Sequence, residues 1–87
     1  MATRESVDNC LLHCNEALEI ANQQYSEAAK QEHYNDEDYI QSQQLLQLAA
    51  NELQLMAHSC NDQQREQLNR MKIQIEQMQH DMITLRH

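Results

Sequence analysis

REQLNRMKIQIEQMQHDMITLRH, residues 65–87, is the stretch whose reading decides the fold. In it Leu68, Met71, Ile75, Met78, Met82 and Leu85 alternate spacings of three and four residues. That is an uninterrupted heptad seam, the pattern of a helix that lays one narrow apolar edge against neighbours. Nothing in the stretch breaks a helix, and the chain as a whole has Gly 0 and Pro 0. Without these residues there are no tight hairpin turns, no phosphate-cradling glycine loops and no proline punctuation. Aromatic residues make up only 3 %, all of them Tyr, so strands have little to be built from. The expectation is an all-α protein.

Working back from this seam, two further helices have matching edges. Val7, Leu11, Cys14, Leu18, Ala21, Tyr25 and Ala28 form a heptad edge on a helix expected over residues 4–32. At about 1.5 Å per residue it is roughly 40 Å long. Thr3 and Ser6 are both suitable N-caps, with Glu5 and Asp8 placed where the helix dipole favours acids. His33, Tyr34, Asn35 and Asp36 supply a glycine-free turn, and Asn35 or Asp36 caps the second helix. That helix, expected over 37–59, carries two apolar stripes. One is Leu46, Ala49, Ala50, Leu53 and Met56, and the other is Leu45, Leu48 and Leu55. Two stripes imply two neighbours and a central place. A second turn at Ser59-Cys60-Asn61-Asp62 leads into the third helix, expected over 62–86. There Asn61 and Gln64 have the spacing of a capping box. Short connections make successive helices antiparallel. The predicted architecture is therefore one domain, 1–87, folded as an up-down-up antiparallel three-helix bundle with coiled-coil-like seams. A dimer that exchanges a helix would have the same seams.

Charge narrows the function. Residues 1–60 carry ten acids and two bases, whereas 61–87 carry four of each, and the net charge is −8. An acidic body repels phosphate backbones and anionic lipid, so neither nucleic acid nor a membrane surface is an expected partner. The basic Arg65, Arg70, Lys72 and Arg86 are expected to face the acids of the first two helices, in pairs that are weak if exposed. The chain has no eighteen-residue apolar run and no basic-then-apolar leader, and its three Cys have no framework spacing. These features together suggest a cytoplasmic protein.

The strings at the two turns, Lys30-Gln31-Glu32-His33-Tyr34-Asn35-Asp36 and Asn61-Asp62-Gln63-Gln64-Arg65-Glu66-Gln67-Leu68, together with the opening Met1-Ala2-Thr3-Arg4, resemble the YtzC-like family. These are short, uncharacterised cytosolic proteins of Bacillus-type bacteria. The resemblance spans nearly the whole chain and implies a bacterial origin. It brings no known activity and no site residues.

Three constellations could carry chemistry. If the chain reverses near residue 35, the numbers of facing residues in the first two helices sum to about 70. That puts Cys10 level with Cys60, and His13 and Cys14 within a turn of His58. Cys10, Cys14, His58 and Cys60 could then hold a zinc ion or act as a thiol-dependent sensor, with a Cys10–Cys60 disulfide as the redox variant. Set against this, free Cys packs readily as a small hydrophobe. The acids Glu32, Asp36, Glu37 and Asp38 lack the glycine and spaced oxygens of a calcium loop, and fit better as dipole-favoured residues at a helix start. His13 beside two thiols is the one hint of catalysis, without an evident orienting partner. A thin core also leaves no space of the roughly 300 Å³ that a substrate needs. No enzyme, no small-molecule substrate and no cofactor are expected.

The remaining signal is a docking face. Leu12, Ile20, Ile73 and Ile83 lie off the seams. With the first and third helices parallel and offset by about 52 residues, Ile20 and Ile73 would be neighbours on the outside. Joined apolar residues there would bind a partner protein or a second copy. The expected function is a small helical interaction or structural module, possible as a homodimer.

Overall fold

The computed structural model describes residues 3–30 and 36–85. Three helices follow one another: α1 (Arg4–Lys30), α2 (Asp36–Ala57) and α3 (Asp62–Thr84). Each packs against both others. The result is an up-down-up rod with a principal extent of 44 Å, about the length of α1 at 1.5 Å per residue. Glu32, His33, Tyr34, Asn35 and Arg86, named above for the first turn and the end of the third helix, lie outside the described residues.

The helix starts follow local chemistry. Thr3 is the cap of α1: its Oγ1 accepts from the Ser6 N–H at 3.1 Å, while Ser6 Oγ accepts from the Thr3 N–H at 3.0 Å. Ser6 is thus the reciprocal partner in the first turn and not the cap, which settles the choice between the two. Asn61 caps α3 in the capping box its sequence suggests, with Oδ1 accepting from the Gln64 N–H at 2.8 Å and Gln64 Oε1 from the Asn61 N–H at 3.1 Å. Asp36 does not cap α2; it is the first helical residue, followed by Glu37 and Asp38 in the same dipole-favoured turn.

α2 stops at Ala57, two residues before the expected end. There the backbone tightens: His58 N–H donates to Leu55 and Ser59 N–H to Met56, three-residue bonds that close the last turn. Arg65 then finishes the job from α3. Its Nη2 donates to the carbonyls of Cys60 at 3.1 Å and Ala57 at 3.4 Å, a cation on the negative end of α2. This corrects the expected pairing of the third helix with acids on the first two. Arg70 bonds Glu66 at 2.8 Å and Lys72 reaches Glu76 at 4.0 Å, both four residues apart on α3 itself. These residues stand on the solvent side of α3, and their own helix offers the nearest carboxylates.

The core is asymmetric. α1 contributes small side chains, Cys10, Cys14, Ala17, Ala21 and Ala28, together with Val7. Leu46 and Leu53 from α2 and Leu68, Met71, Ile75 and Met82 from α3 supply the bulk. Small residues on one helix let its neighbours approach closely, so large and small interdigitate. The heptad edge on α1 is buried or half-buried throughout, but so are Cys10 and Ala17 beside it. The second stripe of α2 is a correction. Leu45, Leu48 and Leu55 are exposed, Leu48 at 63 % and Leu55 at 73 %. In a triangular bundle the first stripe meets both neighbours at once, so the second has no helix to cover it.

One buried polar contact ties the two ends of the rod's tip. Tyr39, at the start of α2, donates its hydroxyl to the Met82 carbonyl near the end of α3. That carbonyl lies in the last turn of α3, three residues before the C-cap Leu85. Burial, with Tyr25 nearby, pushes the Tyr39 phenol above its ordinary value, which keeps it in the donating form. Behind it the buried Ser42 hydroxyl donates to the Tyr39 carbonyl at 2.7 Å.

Candidate functional site

The register of α1 against α2 decides which side chains share a site. His13 Nδ1 lies 3.2 Å from Glu52 Oε1, and the Cys14 thiol points at the Ala49 carbonyl, 3.9 Å away. The numbers of these facing pairs sum to 65 and 63, not about 70. Facing residues of α1 and α2 are five to seven positions away from the expected register, more than one turn of helix. Cys10 is therefore not level with Cys60. It sits beside Cys14 and close to Glu52, while Cys60 is buried near the second turn and His58 is exposed there. Among the described residues no three His, Cys, Asp or Glu side chains are grouped so as to hold an ion. The four candidate ligands Cys10, Cys14, His58 and Cys60 are thus not brought together, and all three thiols are free.

Burial also sets the state of those thiols. Taken out of water, with Cys14 and the Glu52 carboxylate beside it, the Cys10 thiol is pushed up to about 12. Desolvation moves Cys14 in the same direction. Both are protonated at neutral pH, the reverse of an activated nucleophile. His13 does have the partner the sequence did not disclose, Glu52, but the pair lies on the rim while the thiols face the core. They behave as small hydrophobes.

The outward-facing apolar residues fall on separate flanks. Leu12 and Ile73 line one shallow groove between α1 and α3, with Leu18 and Met78 at its base. There residues 12–22 run beside 73–81, an offset well beyond the expected 52 or so. Ile20 is elsewhere. Eight residues beyond Leu12, it is turned about 80° around α1, into a groove with Leu45 and Leu48 of α2. Ile83 is exposed and about 80° around α3 from Ile73. The expected union of Leu12, Ile20, Ile73 and Ile83 into one face, with Ile20 against Ile73, is thereby corrected: the register places them on different sides.

The α1–α2 groove is the better-formed of the two apolar ones. Its floor is Ala17 and Ala49, its walls are Ile20, Leu45 and Leu48, and His13, Glu16 and Glu52 stand at its rim. At about 230 Å³ it is smaller than the roughly 300 Å³ a drug-sized ligand occupies. It has the form of a hole between two helices that accepts a side chain from a third. Spacing makes Leu45 and Leu48 part of an apolar stripe with a second neighbour to satisfy. Periodicity does not say whether such a stripe is covered within the chain.

Other grooves exist on the outside, which corrects the expectation of no substrate-sized space. Between α2 and α3 lies one of about 410 Å³, lined mainly by Gln47, Asn51, Gln54, Asn69, Lys72 and Glu76 over Leu53 and Leu68. Another of about 420 Å³ lies near the second turn, between Arg4, Val7 and Asp8 on one side and Asn61, Gln64 and Gln67 on the other. His58 also lines the first, with Lys72 and Glu76, and neither groove is lined by a Cys, Ser or Thr. Among the described residues no helix is long and apolar enough to cross a membrane.

Comparison with known proteins agrees with the resemblance at the turns. A family model described as "Protein of unknown function (DUF2524)" matches residues 1–84. The "Uncharacterized protein YtzC" of Bacillus subtilis (strain 168) is 49 % identical over 83 residues, covering 95 % of this chain and 92 % of the relative. No solved structure matches the chain.

Proposed function

The chain belongs to the family described as "Protein of unknown function (DUF2524)", and from that premise we propose that it acts as a small cytoplasmic helical module that recognises a partner protein, or a second copy, through an uncovered helix flank. The observation that carries this reading is the set of large apolar side chains left outside a thin core. Ile20, Leu45 and Leu48 share one groove, and Leu55 continues the same α2 stripe. Single exposed apolar residues are ordinary, but a joined group beside a hole between helices is the form of a docking surface. The module has no catalytic role and no cofactor in this reading, which is supported by Cys10 and Cys14 being buried and held protonated. A zinc- or thiol-dependent sensor on Cys10, Cys14, His58 and Cys60 has less support, because the register separates its ligands.

Position-specific photocrosslinking in bacterial cells tests the proposal. A photoreactive residue at Leu48 is expected to give a discrete adduct, and one at the exposed Arg70, on the polar side of α3, is not. Equal labelling from both positions, or none from Leu48, refutes it.

A further inference from the structure

The charges around the α1–α2 groove say what kind of helix it takes. Along α1, Glu16 and Glu27 lie four residues before and seven after Ile20, spacings that keep all three on one flank. Along α2, Glu37 and Glu52 bracket Leu45 and Leu48 on the outward side in the same way. Among the described residues no Lys or Arg answers them there, and only His13 stands against one of them, Glu52. α2 contains no Lys or Arg at all. The two bases of α1 are elsewhere: Arg4 lines the groove toward α3, and Lys30, ten residues beyond Ile20, is about 80° away around the helix. The bases of α3 are also engaged, Arg65 on the end of α2 and Arg70 and Lys72 with acids of their own helix. The flank is apolar in its middle and negative at its edges.

Resting on the docking proposal above, we propose that the occupant of this groove is a basic amphipathic helix, with apolar anchors three to four residues apart and Lys or Arg beside them. The anchors enter the hole over Ala17 and Ala49, and the basic residues lie against Glu16, Glu27, Glu37 and Glu52. A second copy meeting the same face about a two-fold axis would set four carboxylates against four others, and like charges across an interface oppose docking. Complementary charge favours a different chain.

The test uses the full-length protein and two synthetic helical peptides. Both carry Leu at positions i, i+3 and i+7; one has Lys at the flanking positions and the other has Glu. Titration by fluorescence anisotropy is expected to show binding of the Lys peptide only, weakening as salt rises. Leu48→Gln or Ile20→Gln, which leave the charge unchanged, should weaken it about tenfold or more. The double variant Glu16→Lys, Glu37→Lys should shift preference to the Glu peptide. Equal binding of the two peptides to the native protein, still sensitive to Leu48→Gln, overturns the basic partner but leaves a docking face. Binding of the Lys peptide that ignores Leu48→Gln and Ile20→Gln overturns the groove as its site. No binding, with sedimentation showing a dimer that Leu48→Gln dissociates, assigns the face to a second copy. No binding by a strict monomer removes both readings.

Discussion

Replacing Tyr39 by Phe deletes one oxygen and leaves the ring, so it isolates the bond between the start of α2 and the Met82 carbonyl at the end of α3. Tyr39 is 7 % exposed, and the carbonyl it serves lies in the last turn of α3, where helix carbonyls run short of partners within the helix. Stripping a donor from a buried acceptor costs about 1–3 kcal/mol. Because this acceptor lies at a helix end, where water can partly replace the lost donor, the lower half of that range applies, about 1–2 kcal/mol. A chain of this size has a total stability of roughly 4–13 kcal/mol, so the variant still folds. It melts lower by about 5–15 °C, taking about 4–8 °C per kcal/mol for small domains. Far-ultraviolet circular dichroism reads the melt. Hydrogen exchange supplies a local readout: the Leu85 N–H, bonded to Asp81 in the last turn of α3, should exchange faster in the variant. A melting point within about 1 °C of the native protein, with Leu85 protection unchanged, would refute the claim that this hydroxyl ties the two helices.

Other expectations follow from burial and local chemistry. Leu46→Ala is expected to cost about 2–5 kcal/mol and Leu48→Ala less than about 0.5 kcal/mol, because the first is fully buried and the second lies on the uncovered stripe; urea melts of both decide it. Asn61→Ala removes the capping box of α3 and should cost about 1 kcal/mol, read as a shift in the urea midpoint at constant slope. Native Cys10 and Cys14 should resist iodoacetamide at pH 8 and label at the rate of unfolding, which mass spectrometry of quenched samples follows. The same thiols predict alkaline sensitivity. The Cys10 thiol is pushed up to about 12 in the folded chain from its ordinary 9.0, so below pH 9 both states keep the proton and nothing changes. From there toward pH 12 the unfolded chain gains by losing it, and stability falls; Cys10→Ala should flatten that slope.

What could be read from the chain was whatever depends on spacing along one helix. The edge Leu68, Met71, Ile75, Met78, Met82, Leu85 is buried or half-buried as its threes and fours require. The reciprocal Asn61–Gln64 cap is a four-residue affair, and its letters suffice. Register is different in kind. Whether Cys10 meets Cys60 or Glu52 depends on where the chain turns and on how the Ala and Cys of α1 seat against α2, and no single residue announces it. The same slide undid the expected meeting of Ile20 with Ile73. Tyr39 acts by reaching a carbonyl more than forty positions away, which leaves no local pattern in the sequence. Leu45 and Leu48 were recognised as an apolar stripe and assigned to the wrong neighbour.

The thiols and methyls that α1 brings to the centre have a consequence for abundance. A rod filled this way, with much of its bulky aliphatic material outside, has a shallow free-energy well when alone. Any ligand that recognises only the folded form deepens that well, by about 2.7 kcal/mol at roughly one hundred times its dissociation constant. Degradation that samples the unfolded population slows to match. If the proposed docking holds, the cellular half-life of such a chain becomes a gauge of how often its flank is occupied.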